Sequence, residues 1–209
     1  MAEPGATVYV VDDEPDMLKA LERLLGAAGF CVRTFASPEQ FLAQHDDKAP
    51  GCIVLDLALP GLNGLELQQA LQAQGSALPI VFLTGRGDIA ASVRAMKLGA
   101  ADFLTKPVDA RELIAAVNAA LERNREQRAQ RADRHLVASR LAALTARERE
   151  IFALIAQGRL NKQIAAEFGT VEQTIKFHRA NLMRKLGVRT VADLVRLAER
   201  AGTGKPRTG

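Results

Sequence analysis

Within the first 121 residues, five short β-rich apolar runs alternate with five segments whose apolar residues recur at helical spacing. This limits the fold more than any other feature of the chain. The runs are residues 7–11, 31–35, 53–56, 79–84 and 102–105. The first helical segment starts at Pro15, carries Met17, Leu18, Leu21, Leu24 and Leu25 on one stripe, and stops at Gly29. Later ones are expected from the cap Ser37 with Gln40, over residues 64–73, from the cap Asp88 with apolar positions Ile89, Val93, Met96 and Leu98, and from Asp109 with Glu112. Strands that alternate with helices must cross over to pair in parallel. The expectation is therefore an α/β doubly wound, five-stranded parallel sheet.

That pattern ends near residue 121. Residues 123–135 hold no large apolar side chain, no Gly and no Pro, with a basic residue at nearly every turn. The reading is a fifth helix continued outward as a solvated linker helix, a disordered linker being the alternative. Leu136, Val137, Leu141 and Leu144 then restore a helical apolar period, suited to docking on the following domain or on a partner helix. Beyond them come a capping box at Thr145 and Glu148 and a short helix opened by Asn161. A tight turn at Phe168-Gly169-Thr170 leads to a basic helix capped by Thr170 with Gln173, and Thr190 opens a last helix. Helix, short helix, glycine turn and basic helix is a helix-turn-helix order within an all-α four-helix domain. The expected domains are 1–121, a helical linker 122–143, and 144–209.

Charge divides the same way. Residues 1–124 carry 10 Lys and Arg against 16 Asp and Glu, and residues 125–209 carry 18 against 8, so a net charge of −6 precedes one of +10. A basic half of that size expects a polyanion. The chain has no apolar segment near the roughly 18 residues of a membrane span, and its start shows no basic region followed by an apolar core. No membrane partner and a cytoplasmic location are expected. Cys31 and Cys52 sit in apolar strand-like runs and are read as reduced core residues.

In an open parallel sheet the ligand edge is the C-terminal end of the strands. The runs deliver Asp12 and Asp13, Asp56, Thr84 and Lys106 there, provided the strand order is 2-1-3-4-5. Clustered carboxylates repel unless a cation joins them, and Mg²⁺ suits an oxygen-only set completed by water and phosphate. Asp56 can serve as an oxygen nucleophile toward phosphorus, with the metal and Lys106 offsetting the phosphoryl charge and Thr84 donating to the product. Taken singly, each of these residues also reads as a helix cap, a turn or a solvated charge.

The segments VVDDEP, VLDLALPGLNG, PIVFLTGRGD and GAADFLTKP resemble the receiver domain of two-component response regulators, over roughly residues 6–121. The resemblance implies that Asp56 accepts a phosphoryl group from a sensor histidine kinase. Asp12, Asp13, Asp56 and the Ala58 backbone carbonyl would hold Mg²⁺. Thr84 would be the switch hydroxyl, Phe103 the switch aromatic, and Lys106 the phosphate-binding lysine, joined to Pro107 by a cis bond. Ala58 and Arg86 occupy the variable positions that tune the phosphoryl lifetime. The segment LTAREREIFALIAQGRLNKQIAAEFGTVEQTIKFHRANLMRKLGV, within about residues 143–201, resembles the LuxR-type helix-turn-helix of the NarL/FixJ class, and by TGRGD, AMKLGA and NKQIA the whole chain resembles the FixJ/StyR/TodT branch. Together they imply a transcription regulator whose phosphorylation promotes dimerisation on an operator with two-fold character, with RNA polymerase as a further partner. Such a protein is no turnover enzyme and at most autophosphorylates and autodephosphorylates slowly. Two rivals stand beside it: an Mg²⁺-dependent phosphohydrolase with Asp56 as covalent nucleophile, and a DNA-binding regulator indifferent to phosphorylation. The former needs a second acid, often two residues after the nucleophile, where this chain has Ala58.

A helical wheel of the basic helix puts Val171, Ile175, Leu182 and Leu186 on one face, with His178 and Arg179 at its margins. The opposite face carries Gln173, Phe177, Ala180 and Arg184, flanked by Thr174, Lys176 and Asn181. Lys176 and Phe177 are the base-edge candidates, and Lys162, Arg184 and Lys185 the phosphate candidates. Arg179 is expected to be structural and paired with Glu148. His178 is read as a core-edge residue, and the scattered histidines offer no zinc site.

Overall fold

The chain was analysed as a computed structural model that describes residues 5–46, 49–85 and 89–201, the side chains of residues 89–92 excepted. Arg86, the Asp88 cap, the Ile89 apolar position and the GKPRTG tail lie outside those described. The chain divides into two compact units, Met1–Arg128 and Ala129–Gly209.

In the first unit the elements alternate as β1 Thr7–Val11, α1 Pro15–Ala27, β2 Cys31–Phe35, α2 Pro38–Gln44, β3 Gly51–Asp56, α3 Gly64–Ala73, β4 Ile80–Thr84, α4 Ile89–Lys97, β5 Asp102–Thr105 and α5 Ala110–Ala142. All neighbouring strands are parallel and the order is β2-β1-β3-β4-β5. Every residue of β3 and of β4 is buried, as expected for strands covered on both faces. One face packs Val8, Val10, Val54, Val81 and Leu83 against Leu21 and Leu25 of α1 and Leu113 and Val117 of α5. The other packs Tyr9, Ile53, Leu55 and Phe82 against Phe41 of α2, Leu67 and Leu71 of α3, and Ala95 of α4.

Local chemistry sets several starts. Pro15 opens α1 and Ser37 Oγ accepts from the Gln40 N–H. The Gln40 side chain reaches back to the Ala36 N–H instead of the expected Ser37 one. Asn63 and Glu66 form a reciprocal capping box for α3, and Asp109 accepts from the Arg111 and Glu112 N–H groups ahead of α5. Gly64 is confined by space: a Cβ there would lie 2.8 Å from the Asp56 carbonyl oxygen, so a larger residue would push α3 off the end of β3.

Three expectations are corrected. Cys31 is exposed, because it opens the edge strand β2 with its side chain outward, whereas Cys52 in β3 is buried and burial pushes its thiol up to about 12. Val93 and Met96 of α4 are 48% and 49% exposed, and the buried contact is Ala95. A small residue lets the helix backbone lie close to its neighbours, which turns its larger side chains outward. The side chains of Gln68 and Gln72 in α3 donate to carbonyls at the C-terminal end of α4, those of Ala95 and Leu98 for Gln68 and that of Leu98 for Gln72.

Helix α5 is unbroken for 33 residues, which decides between rod and disordered linker in favour of the rod. The second unit adds α6 Ala146–Ala156, α7 Asn161–Glu167, α8 Glu172–Leu186 and α9 Val191–Arg200. Its core joins Val137 and Leu144 to Ile151, Phe152, Ile155, Ile164, Ile175, Leu182, Leu186, Leu194 and Leu197. Leu136 stays 48% exposed. The boxes at Thr145 with Glu148 and Thr190 with Asp193 are present. The Thr170 cap is not: α8 is preceded by Val171, which offers no side-chain cap and, as the residue before the helix, stays 65% exposed instead of joining the apolar face. No helix among the described residues is long and apolar enough to cross a membrane.

Candidate functional site

The strand register brings the acids together. Val11 pairs with Leu55 across β1 and β3, so Asp12 and Asp56 leave neighbouring strands side by side. Thr84 pairs with Thr105 across β4 and β5, and the Lys106 N–H donates to the Thr84 carbonyl at 2.6 Å, which anchors the lysine backbone at the same rim. From there its side chain reaches back over the sheet. Nζ lies 2.8 Å from Asp12 Oδ2, 2.8 Å from Asp56 Oδ2 and 3.7 Å from Glu14 Oε1.

Asp12 and Asp56 are 1% and 5% exposed, and their second oxygens accept backbone N–H groups, Asp12 Oδ1 from Glu14 and Asp56 Oδ1 from Ala58. Burial opposes the Lys106 ammonium, but its hydrogen bonds to Asp12 and Asp56 and the charge on both outweigh it and hold its pKa above the ordinary lysine value. Asp13 is exposed, yet one oxygen each of Asp12, Asp13 and Asp56 lie within 4.8 Å of one another.

The residues fit a magnesium ion. Three carboxylates converge where Lys106 supplies the ammonium, leaving net negative charge that a divalent oxygen-seeking cation offsets, and the donors are all oxygen. The Thr84 hydroxyl is buried and donates to the Gly85 carbonyl at 3.2 Å. Phe103 is partly buried against the cluster that holds Phe82 and Leu67. The Lys106–Pro107 bond is cis.

A second set of polar groups lies on α8 and its supports. Ile175, Leu182 and Leu186 are buried, while Gln173, Lys176, Phe177, Ala180 and Arg184 are exposed, Phe177 at 64%. Thr174 and Asn181 are half-buried and Lys162 is exposed on α7. Lys176 is held by an exposed pair with Glu172 at 3.1 Å, and Arg184 donates to Asn181 at 3.2 Å. Such surface ties are worth about 1 kcal/mol or less and exchange readily for a ligand.

Two assignments change. Glu148 pairs with Lys185 at 2.6 Å and not with Arg179, which donates to Asn161 Oδ1 at 2.9 Å. The wheel puts Arg179 and Lys185 on different sides of α8, and only packing shows which of them meets α6. The Lys185 hydrogen bond, followed by the Thr145 N–H, holds the Glu148 carboxyl below its usual range. Lys185 is thereby tied to α6, with its side chain still 34% exposed. His178 is half-buried beside the Phe177 ring, 6.1 Å between centroids, as a core-edge residue would be.

Sequence reasoning missed Asn124. It is 1% exposed, accepts the Gly51 N–H at 3.2 Å and donates to the Ala77 carbonyl at 2.8 Å, tying α5 to the segments that open β3 and β4. The signal was a polar residue seven positions after Val117, on the apolar stripe of α5.

Residues 8–118 match the family described as response regulator receiver domain, and residues 142–198 match bacterial regulatory proteins of the luxR family. Nodulation protein W of Bradyrhizobium diazoefficiens is 42% identical over 99% of this chain and 91% of its own length. Response regulator protein TodT of Pseudomonas putida is 38% identical over 96% and 88%. Among solved structures, the response regulator StyR aligns with a TM-score of 0.87 and 43% identity, covering 94% of this chain and 99% of that one. Full-length FixJ from B. japonicum aligns with a TM-score of 0.59 and 39% identity, over 96% and 98%.

Proposed function

The chain belongs to the two-component response regulators that join a receiver to a LuxR-type DNA-binding domain, and on that footing we propose that a phosphoryl group on Asp56 controls how the second unit engages DNA. The protein is a transcription regulator of a two-component system, with a histidine kinase and DNA as its partners. What carries the proposal for the site is the bridge of Lys106 between two buried carboxylates, Asp12 and Asp56, at the ligand edge of the sheet.

In this reading an Asp56 carboxylate oxygen attacks phosphorus as the bond to the kinase's histidine nitrogen breaks. The nitrogen keeps the bonding electron pair, and an acyl phosphate results. Lys106 exchanges carboxylate oxygen for phosphoryl oxygen, offsetting charge where it accumulates. Mg²⁺, held by Asp12, Asp13, Asp56 and the Ala58 carbonyl, would supply further neutralisation of the phosphoryl oxygens. Thr84 turns from the Gly85 carbonyl toward the phosphoryl group, and Phe103 shifts within its partly buried seat. A homodimer then sets two copies of α8 on an operator with two-fold character, about one DNA turn apart. The face with Gln173, Thr174, Lys176, Phe177, Ala180 and Asn181 enters the major groove, Lys176 and Phe177 meet base edges, Lys162, Arg184 and Lys185 meet phosphates, and RNA polymerase is a further partner. The site lacks an acid at Ala58 to activate water, so phosphoryl turnover is slow and the protein is no hydrolase. A cytoplasmic location accords with this reading.

The test uses Mg²⁺ and a small phosphodonor with wild type and Asp56→Asn. Wild type is expected to take up one phosphoryl group, self-associate and extend its footprint, while Asp56→Asn does none of these. Equal association and equal footprints for the two proteins would overturn the proposal.

A further inference from the structure

The outer face of α8 has an aromatic ring at its centre. At about 100° per residue, Gln173, Ala180 and Arg184 lie within roughly 60° of Phe177. The buried residues Ile175, Leu182 and Leu186 lie roughly 140–180° away from it. Phe177 thus points away from the core, and it is 64% exposed. A single exposed apolar residue needs no explanation by itself. Its place on this helix, and what stands beside it, give it one.

A recognition helix meets base edges with the residues of its N-terminal part. Arg184 shares the face of Phe177 but stands about 10.5 Å further along the axis, in the last turn, where it donates to Asn181. Lys176 is at the margin, roughly 100° round from the ring, and pairs with Glu172 at 3.1 Å. Nearer the start, the centre of the face offers Gln173, whose amide suits adenine N6 and N7, and then the ring about 6 Å on. Exposed Ala180, about 4.5 Å beyond, is short enough to let the ring reach past it. A phenyl ring has neither donor nor acceptor. Among the groups that base pairs present in the major groove, the thymine C5 methyl is the apolar one. A polar base edge set under the ring would lose water and gain no partner, a cost that a methyl does not incur. The ring therefore favours thymine and penalises the other bases by one and the same contact.

We propose that Phe177 reads the C5 methyl group of thymine, so that the base pair under the centre of α8 is T·A. This rests on the DNA-binding reading of the second unit and names the base that its basic helix selects there.

In the experiment, full-length wild type with Mg²⁺ and a small phosphodonor selects duplexes from a random pool. Its affinity for the selected duplex is then measured with each thymine replaced in turn by uracil, which keeps the pairing and the O4 acceptor and lacks only the methyl. At the position under the ring the swap should weaken wild type about fourfold, the worth of one buried methyl group. At that position 5-methylcytosine should bind about fourfold better than cytosine for the same reason. With Phe177→Ala the same uracil swap should change affinity by less than about 1.5-fold, because the coupling between ring and methyl is gone. Melting controls for the fold of the variant, and the swaps on wild type need no variant. If no uracil swap weakens wild type, or if every swap costs Phe177→Ala as much as wild type, the proposal is overturned. A wild type that binds all duplexes alike keeps the DNA-binding reading and also overturns the proposal. If wild type binds no duplex, it is the DNA-binding reading itself that fails, and the proposal with it.

Discussion

At the sheet rim the Lys106 side chain is 16% exposed and its ammonium touches two buried carboxylates, whereas on α8 the Lys176 side chain is 54% exposed and touches one exposed carboxylate. The same functional group is a fixed part in one place and a free one in the other. Low local dielectric makes the rim interactions strong and the loss of any member costly. The α8 charges sit in water, where they cost little to hold and can be surrendered to a phosphate or a base. Burial thus separates a site that must be preorganised for a small charged group from a surface that must adapt to a long one.

The difference can be broken most severely at the rim. Lys106→Ala leaves Asp12 and Asp56 facing each other without their shared cation, and phosphoryl uptake from a small donor should fall on the order of 100- to 1000-fold, read by the rate of labelled aspartyl phosphate formation. A fall of less than about threefold would show that the bridge is incidental. Asn124→Ala strands the Gly51 N–H and the Ala77 carbonyl, and should destabilise the first unit by roughly 2–4 kcal/mol in a urea titration while leaving the second unit's transition in place.

Smaller effects are expected where partners are exposed. Glu148→Gln should cost the second unit roughly 1–3 kcal/mol at neutral pH, since it breaks the pair with Lys185. The Glu148 pKa is lowered on folding, so its contribution is present above the unfolded value of 4.5 and fades as pH falls through the folded one. The acid side of the wild-type stability curve should therefore be steeper than that of the variant, and parallel curves would remove the charge from the account. Phe177→Ala should leave melting within about 0.5 kcal/mol because the ring is exposed. Its affinity for the specific duplex should drop by about 1–2 kcal/mol, with little loss on unrelated DNA. An equal loss on both would reduce Phe177 to a backbone contact.

Most of the fold was legible from the chain. Short apolar runs placed the five strands, and caps such as Asp109 and Thr145 with a 3.6-residue apolar period placed the helix starts, to within two residues, because these signals are local and the folding rules that use them are few. Misreadings arose where a residue's fate depended on what lay opposite. Cys31 and Cys52 occupy similar runs, yet one lies on an edge strand and the other in the centre. Val93 looked like a core position until Ala95 proved to be the contact. Arg179 and Lys185 are equally basic, and only packing gave Glu148 to the second.

By itself the sequence determined the alternation of elements, the strands that end in an acid, a hydroxyl or an ammonium, and the split between an acidic and a basic half. Tertiary structure alone decided that Lys106 reaches both Asp12 and Asp56, that the Thr84 hydroxyl faces Gly85, and that Asn124 bonds Gly51 and Ala77. The physical reason is range. Backbone preference and apolar period act over a few residues and are written locally, while a contact such as that between Asp12 and Lys106 joins positions far apart in the chain and exists only once the sheet has set them at one rim.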